Sequence, residues 1–119
     1  MPDLSVVIVN YNTREPLRRC LESLRRERGG LAVETIVVDN GSKDGSAALV
    51  RESFPEVTLI EPGRNTWFTG GNNLGARAAT GDYVLVLNPD TVIQPGMLPA
   101  MVAYLRAHPD VGVLTCQMR

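Results

Sequence analysis

The sequence GDYVLVLNPD, residues 81–90, decides how this chain folds. Five apolar or aromatic residues, 83–87, run without interruption and end at Asn88. A run of this kind is typical of a strand that is buried on both faces in a parallel sheet. Pro89 cannot donate a ladder hydrogen bond, so the strand should end there. Asp90 should therefore lie just outside the carboxyl end of a central strand, where open α/β sheets bind their ligands. No Lys or Arg lies close to Asp90 in sequence, and a divalent cation is one candidate partner.

The length and composition are those of a single globular domain. The chain has 119 residues, of which 44% are hydrophobic and 21% are charged, and its net charge is −1. That charge predicts no general attraction to nucleic acid or to an anionic membrane. No apolar stretch is long enough to span a membrane, and no signal-peptide pattern is present. We expect a cytoplasmic protein, at the inner face of the membrane if the full-length protein is membrane-associated. Cys20 and Cys116 form no CxxC pair and are expected to be buried free thiols.

Strand and helix patterns alternate along the whole chain. Short apolar runs predict five strands, at residues 4–9, 34–38, 57–60, 83–87 and 111–116. Apolar residues at helical spacing predict helices over residues 14–28, 45–53, 73–80 and 97–107, with a loop over residues 62–72. The small residues of the third helix should permit close packing on the sheet. This alternation predicts an α/β fold with a doubly wound, mainly parallel sheet, similar to a Rossmann fold.

Unusual polar residues follow four of the predicted strands. They are Asn10, Tyr11 and Asn12 after the first strand, Asp39 and Asn40 after the second, Arg64 and Asn65 after the third, and Asn88 and Asp90 after the fourth. Because parallel strands point the same way, these clusters should share the carboxyl edge of the sheet, which we call the rim. The rim is therefore the predicted ligand crevice.

Several common sites are excluded by their spacing. The first strand–helix turn has no G-x-G-x-x-G dinucleotide fingerprint, and residues 64–75 contain no Gly-Lys-Ser/Thr of a P-loop. Residues 39–45 lack the spacing of a calcium loop, and no serine lies in a G-x-S-x-G elbow. The single histidine, His108, lies at a helix end and is expected at the surface.

A nucleotide site of another design remains. Tyr11 could stack on a base, Asp39 could accept a hydrogen bond from the ring N–H of uracil or thymine, and Asp90 could hold Mg²⁺ or Mn²⁺ against a diphosphate. Each residue has a purely structural alternative. Tyr11 could be a core aromatic residue, Asp39 an Asx-turn acceptor, and Asp90 the N-cap of a short turn. Their shared rim favours the functional reading.

Four segments together resemble glycosyltransferase family 2, which has the GT-A fold. They are SVVIVNYN at 5–12, VVDNGSKDGS at 37–46, GGNNLG at 70–75 and GDYVLVLNPD at 81–90. The resemblance spans residues 4–116 and is greatest to the rhamnosyltransferase-type branch that builds bacterial cell-surface polysaccharides.

The resemblance implies roles for individual residues. It places Asn10, Tyr11 and Asn12 in the base and ribose pocket and Asp39 against the base. Gly71, Asn72 and Asn73 would lie over the nucleotide and the donor sugar, and Asn65 and Asn88 complete the predicted donor-binding set. Asp90 would be the metal ligand, for Mg²⁺ or Mn²⁺. Asn88 and Pro89 stand where commoner family members have further carboxylates, so the metal should depend more on the diphosphate oxygens.

The implied reaction is transfer of a sugar, with inversion, from a UDP- or dTDP-sugar to a hydroxyl of an acceptor glycan or lipid-linked glycan. In the family the catalytic base lies downstream of the fifth strand. We therefore expect residues 1–119 to be the nucleotide-sugar-binding domain of a longer enzyme, without a catalytic base and inactive alone. The alternatives are a stand-alone nucleotide-binding or regulatory module, or a scaffold without a ligand. A truncated sheet could also self-associate through an uncovered edge.

Overall fold

Four parallel strands and four helices alternate in a computed structural model, which describes residues 2–63 and 67–108 and, for residues 67–69, the backbone alone. The elements are β1 (Leu4–Asn10), α1 (Arg14–Arg26), β2 (Val33–Asp39), α2 (Ser46–Ser53), β3 (Thr58–Ile60), α3 (Trp67–Ala78), β4 (Tyr83–Leu87) and α4 (Met97–Ala107). The strands form one sheet in the order β3-β2-β1-β4, and every neighbouring pair is parallel. The predicted α/β fold with a parallel sheet is confirmed.

One face of the sheet carries the large apolar core. Alternate residues of β1 point to this face, because side chains along a strand alternate between the two faces. They pack with side chains from α1, α2 and α4. The buried members of this cluster are Leu4, Val6, Ile8, Leu17, Cys20, Leu21, Leu24, Val37, Leu49, Val50, Phe54, Leu85, Leu87, Ile93, Leu98 and Val102. Cys20 is a buried free thiol, as predicted.

The opposite face is covered by α3, which packs against β1 and β2. Two glycines permit this contact. A Cβ at Gly71 would lie 2.8 Å from Val9 Cγ1, and a Cβ at Gly75 would lie 2.3 Å from Val7 Cγ1. Both distances are shorter than any ordinary carbon–carbon contact. The predicted close packing of a small-residue helix on the sheet is therefore confirmed, and helices on both faces make the sheet doubly wound.

The predicted start of α3 was wrong. The loop expected over residues 62–72 becomes helical at Trp67, six residues before the expected start at Asn73. Glycine and asparagine have low helix propensity and favour turns, so the GGNN segment reads locally as a loop. Tertiary packing overrides this preference, because only a residue without a side chain allows α3 to approach Val9 so closely.

β4 was predicted as a central strand buried on both faces. The burial is wrong, whereas the central position stays a prediction, because the strand expected at 111–116 lies outside the described residues. In the described part of the chain β4 is an edge strand, paired with β1 alone. Leu85 and Leu87 are buried in the core, whereas Val84 and Val86 on the other face are 46% and 45% exposed. The reason is that α3 lies over β1 and β2. A run of apolar residues does not reveal what covers each face.

Some predictions fall outside the described residues. These are the fifth strand at 111–116, Cys116, Arg64 and Asn65. Within the described ranges, none of the helices is both long and apolar enough to cross a membrane.

Candidate functional site

The strand order places three of the four predicted polar clusters along one rim. Asn10, the last residue of β1, is in register with Asp39, the last residue of β2. On the other side of β1, Ile8 is in register with Leu87, and Asn88 begins the segment that follows β4. The rim therefore carries Asp39, Asn10 and Asn88 in spatial order. The third cluster lies outside the described residues.

Asp39 is held at the rim by hydrogen bonds to both of its carboxylate oxygens. Its side chain is almost buried, with 3% exposure, and Asn10 beside it is fully buried. Oδ1 accepts from Asn10 Nδ2 at 3.0 Å and from Ser42 Oγ at 2.6 Å. Oδ2 accepts from the backbone N–H of Ser42 at 3.1 Å. Asp39 thus does form the local turn that was considered as its structural alternative. An oxygen has two lone-pair directions, so, counting the donors among the described residues, Oδ2 retains one for a ligand.

Ser42 connects the loop after β2 to the loop after β1. Its hydroxyl donates to Asp39 and accepts from the backbone N–H of Asn12 at 2.8 Å and from Asn10 Nδ2 at 3.2 Å. Asn12 has a φ of 54°, in the left-handed region that asparagine tolerates better than most residues. Asn12 Oδ1 accepts from the backbone N–H of Lys43 at 2.7 Å, which adds a second bond between the loops. Each loop is therefore shaped by the other.

Tyr11 projects from this bonded turn into solvent. Its side chain is 53% exposed, so the alternative of a core aromatic residue is wrong. Thr13 occupies the N-cap position of α1 but makes no capping bond with its side chain. Its hydroxyl donates to Asn10 Oδ1 instead. With that bond the buried amide of Asn10 uses both its oxygen and its nitrogen within the rim.

The loop after β2 also anchors the start of two helices. Asp44 Oδ1 accepts from the backbone N–H of Ser46 at 3.0 Å and from its hydroxyl at 2.5 Å. Asp44 Oδ2 accepts from the backbone N–H of Arg14 at 2.9 Å. Burial raises the pKa of Asp44, but these hydrogen bonds outweigh it and leave the pKa below its usual value. Asp44 stays ionised, and the loop is fixed at both of its ends.

Asp90 lies in an exposed turn directly after β4. The backbone N–H of Thr91 donates to the carbonyl of Asn88 at 3.1 Å, with Pro89 at the second position of the turn, where its fixed φ fits. Asn88 and Asp90 are both exposed. Within the described residues the Asp90 carboxylate makes no hydrogen bond or ion pair. The carboxylate is therefore available to a ligand.

A hydrogen bond between α1 and Ile93 stabilises the segment that follows this turn. Ser23 is buried, donates to the carbonyl of Cys20 at 2.7 Å and accepts from the backbone N–H of Ile93 at 2.9 Å. Burial, and then the negative charge of Asp90, raise the pKa of the Cys20 thiol to about 12. The thiol is therefore protonated at neutral pH and is a packing group.

The first turns of α3 stand beside the carboxyl end of β1, because Gly71 packs on Val9. Asn73 is exposed, whereas Asn72 is half-buried and its Oδ1 is buried without a hydrogen-bond partner in the described part of the chain. Gly71 serves the contact with the sheet. The proposed roles of these three residues in donor binding remain predictions.

The described side chains suit a divalent cation only in a site that water and substrate phosphates complete. Among the described residues, no three His, Cys, Asp or Glu side chains form a cluster that could enclose a metal. An exposed carboxylate is a hard oxygen ligand, and Mg²⁺ is commonly held by one or two carboxylates together with water and substrate phosphates. Asp90 suits that mode.

Two serines of the site, Ser42 and Ser23, were missed by sequence reasoning. Ser42 precedes α2, which starts after Gly45, and its hydroxyl bonds lie within the rim. The spacing of Asp39 and Ser42 signals a local turn. The bonds between Ser42 and both Asn10 and Asn12 depend on the register of β1 and β2, which cannot be read from the sequence.

Comparison with known proteins identifies the class. The structure superposes on a mannosyltransferase from Pyrobaculum calidifontis, solved with GDP-Man and Mn²⁺, with a TM-score of 0.83 and 25% identity, over 99% of this chain and 36% of that one. The fold is the GT-A fold of glycosyltransferases. A family model described as glycosyl transferase family 2 matches residues 5–119. The chain belongs to glycosyl transferase family 2.

Two relatives illustrate the family. The chain is 36% identical to the succinoglycan biosynthesis protein ExoO of Rhizobium meliloti (strain 1021), over 86% of this chain and 29% of the relative. It is 32% identical to an N-acetylglucosaminyl-diphospho-decaprenol L-rhamnosyltransferase of Mycobacterium tuberculosis (strain CDC 1551 / Oshkosh), over 93% of this chain and 39% of the relative. The chain thus spans about a third of the length of these relatives.

Proposed function

We propose that this chain binds the nucleoside-diphosphate-sugar donor of an inverting glycosyltransferase that builds a cell-surface polysaccharide. The observation that carries the proposal is the buried Asp39 carboxylate, which keeps one acceptor direction at the rim beside the exposed ring of Tyr11. Family membership supports a transferase, and the two relatives above support glycan synthesis.

The base would bind at the β1–β2 end of the rim. Tyr11 would stack on its face, since stacking of a base on an aromatic ring tolerates any base. Asp39 Oδ2 would accept a hydrogen bond from a ring N–H. Uracil, thymine and guanine each offer one, so this contact accommodates a UDP-, dTDP- or GDP-sugar, and the donor sugar remains open.

The diphosphate would lie toward β4. Two strand spacings separate β2 from β4, which is about 10 Å. In this arrangement Asp90 would hold the divalent cation, and Asn88 would donate to the donor from the same turn. When bound, the cation would offset the charge that develops on the departing nucleoside diphosphate. Asn72 and Asn73 would contact the donor from the α3 side.

A thermal-shift titration with UDP, dTDP and GDP, each with and without Mn²⁺, tests the proposal. A ligand that binds only the native state stabilises it by about 2.7 kcal/mol at roughly 100 times its Kd. We expect at least one nucleotide to raise the melting temperature, and Mn²⁺ to increase that shift. Asp90→Ala should remove the Mn²⁺-dependent part.

Asp82→Ala is the matched control, because Asp82 precedes β4 as Asp90 follows it and is likewise exposed. It should keep the full response. A flat response of the wild-type chain to every nucleotide would favour the scaffold alternative. We also propose that the 119-residue chain transfers no sugar by itself, since the family's base is expected elsewhere. Turnover that Asp90→Ala abolishes would refute this part. A cytoplasmic location and self-association of the chain stay predictions.

A further inference from the structure

Ser42 holds the Asp39 carboxylate from both sides. Its hydroxyl donates to Oδ1 at 2.6 Å, and its backbone N–H donates to Oδ2 at 3.1 Å. Asn10 Nδ2 supplies the second bond to Oδ1 at 3.0 Å. With both lone-pair directions of Oδ1 in use, the plane of the carboxylate is fixed. The remaining direction of Oδ2 is then fixed as well.

The same hydroxyl sets the turn that carries Tyr11. It accepts the backbone N–H of Asn12 and so stabilises the left-handed conformation of that residue. One hydroxyl therefore positions both the acceptor for the edge of a base and the aromatic ring for its face. Serine is the smallest side chain that can donate once and accept twice at this point.

We propose that Ser42 is the positioning residue that gives the rim its selectivity for bases with a ring N–H. This inference rests on the proposed function. A fixed Oδ2 accepts from the N3–H of uracil, whereas cytosine presents a ring nitrogen acceptor there and repels the carboxylate. Without the Ser42 hydroxyl, the carboxylate can turn toward the exocyclic amino group of cytosine. Selectivity should then fall more than affinity.

Titration of the 119-residue chain with UDP and with CDP tests the inference, with the ratio of the two Kd values as the readout. We expect the wild type to prefer UDP by roughly 10- to 100-fold, the size of one good base-edge contact. Ser42→Ala should lower that ratio by about tenfold. Ser42→Thr, which retains a hydroxyl, should restore most of it. A loss of stability alone would weaken both ligands equally and leave the ratio unchanged.

Ser46→Ala is the matched control. Ser46 lies in the same segment and also donates its hydroxyl to a carboxylate, that of Asp44, but makes no bond to Asp39. It should leave the ratio unchanged. If Ser42→Ala does not fold, Ser42→Cys keeps the size of the side chain with a weaker donor and should lower the ratio in the same direction.

The outcomes separate this inference from the proposed function. A wild-type preference for UDP that persists in Ser42→Ala, or that Ser42→Thr fails to restore, overturns the role of Ser42 and leaves the proposed function intact. A wild-type chain that binds UDP and CDP equally well overturns this inference alone, and one that binds neither of them nor dTDP or GDP overturns the proposed function, and this inference with it.

Discussion

Glu34 and Asp39 lie near opposite ends of β2, and each carboxylate accepts three hydrogen bonds from residues that the structure describes. Glu34 accepts from Ser5 Oγ at 2.7 Å, from the backbone N–H of Thr80 at 2.9 Å and from Thr80 Oγ1 at 3.1 Å. These donors belong to β1 and to the connection between α3 and β4. The donors to Asp39 are Asn10, the last residue of β1, and Ser42 in the loop after β2. Similar networks therefore join different parts of the chain.

The two ends of β2, one closed and one open, differ in whether the polar and aromatic groups around the carboxylate remain exposed. At the amino end, Ser5 is fully buried and also accepts the backbone N–H of Gly81 at 2.8 Å, so the polar groups are used within the fold. At the rim, Tyr11, Asn88 and Asp90 remain exposed around the buried pair of Asn10 and Asp39. The comparison shows that a carboxylate with several hydrogen bonds does not by itself indicate a ligand site. The exposed polar and aromatic groups beside it do.

The largest expected effect concerns the closed end. A Cβ at Gly81 would lie 2.7 Å from Ser5 N and 2.8 Å from the carbonyl carbon of Leu4, and backbone atoms cannot rotate away. Gly81→Ala should lower the free energy of unfolding by about 3 kcal/mol, at the upper end for overpacking. Urea denaturation measures this.

The matched variant at the rim is Gly41→Ala. Gly41 has a φ of 83° and no neighbour within 4 Å of the added Cβ, so only backbone strain applies, and about 1 kcal/mol is expected. Equal losses in the two variants would contradict the description of a closed and an open end.

A smaller effect is expected when each carboxylate is replaced by its amide. In Asp39→Asn, an NH₂ group in the place of Oδ2 would face the backbone N–H of Ser42, which cannot reverse its role. The cost should be about 2 kcal/mol. In Glu34→Gln the corresponding partner is the Thr80 hydroxyl, which can rotate and accept instead, and about 0.5–1 kcal/mol is expected.

Chemical denaturation of both variants at pH 7 makes this comparison. A greater loss in Glu34→Gln than in Asp39→Asn would show that the donors to Asp39 adapt, and would argue against a fixed carboxylate.

The smallest effect is a pH dependence at the closed end. Burial raises the pKa of Glu34, but hydrogen bonds from Ser5 and Thr80 outweigh it, and the pKa lies below its ordinary 4.5. A carboxylate whose pKa is lower in the folded state contributes stability above its unfolded pKa and loses it as the pH falls through the folded pKa. Between pH 6 and pH 3.5 the wild-type chain should therefore lose slightly more stability than Glu34→Gln. Parallel curves for the two proteins would contradict the prediction.

The parallel sheet and the position of the rim could be predicted because they follow from alternation and from the common direction of the strands. The start of α3 could not, because the reason for helical glycines at positions 71 and 75 is contact with Val9 and Val7. The exposure of Val84 and Val86 could not be predicted either, because it depends on where α3 lies. Ser42 was overlooked for a similar reason, since two of the three hydrogen bonds of its hydroxyl join the loop after β2 to Asn10 and Asn12.

The glycine contact between α3 and β1 has a consequence for how such a site diversifies. At this contact α3 contributes only the backbone of two glycines against the side chains of Val9 and Val7, so no smaller residue on α3 could bring the helix closer to the sheet. New ligand preferences are therefore expected to arise at outward positions, such as Tyr11, Asn73 and Asn88, where substitutions leave the interior undisturbed. A library for altering donor choice should vary these three positions and hold Gly71 and Gly75 constant.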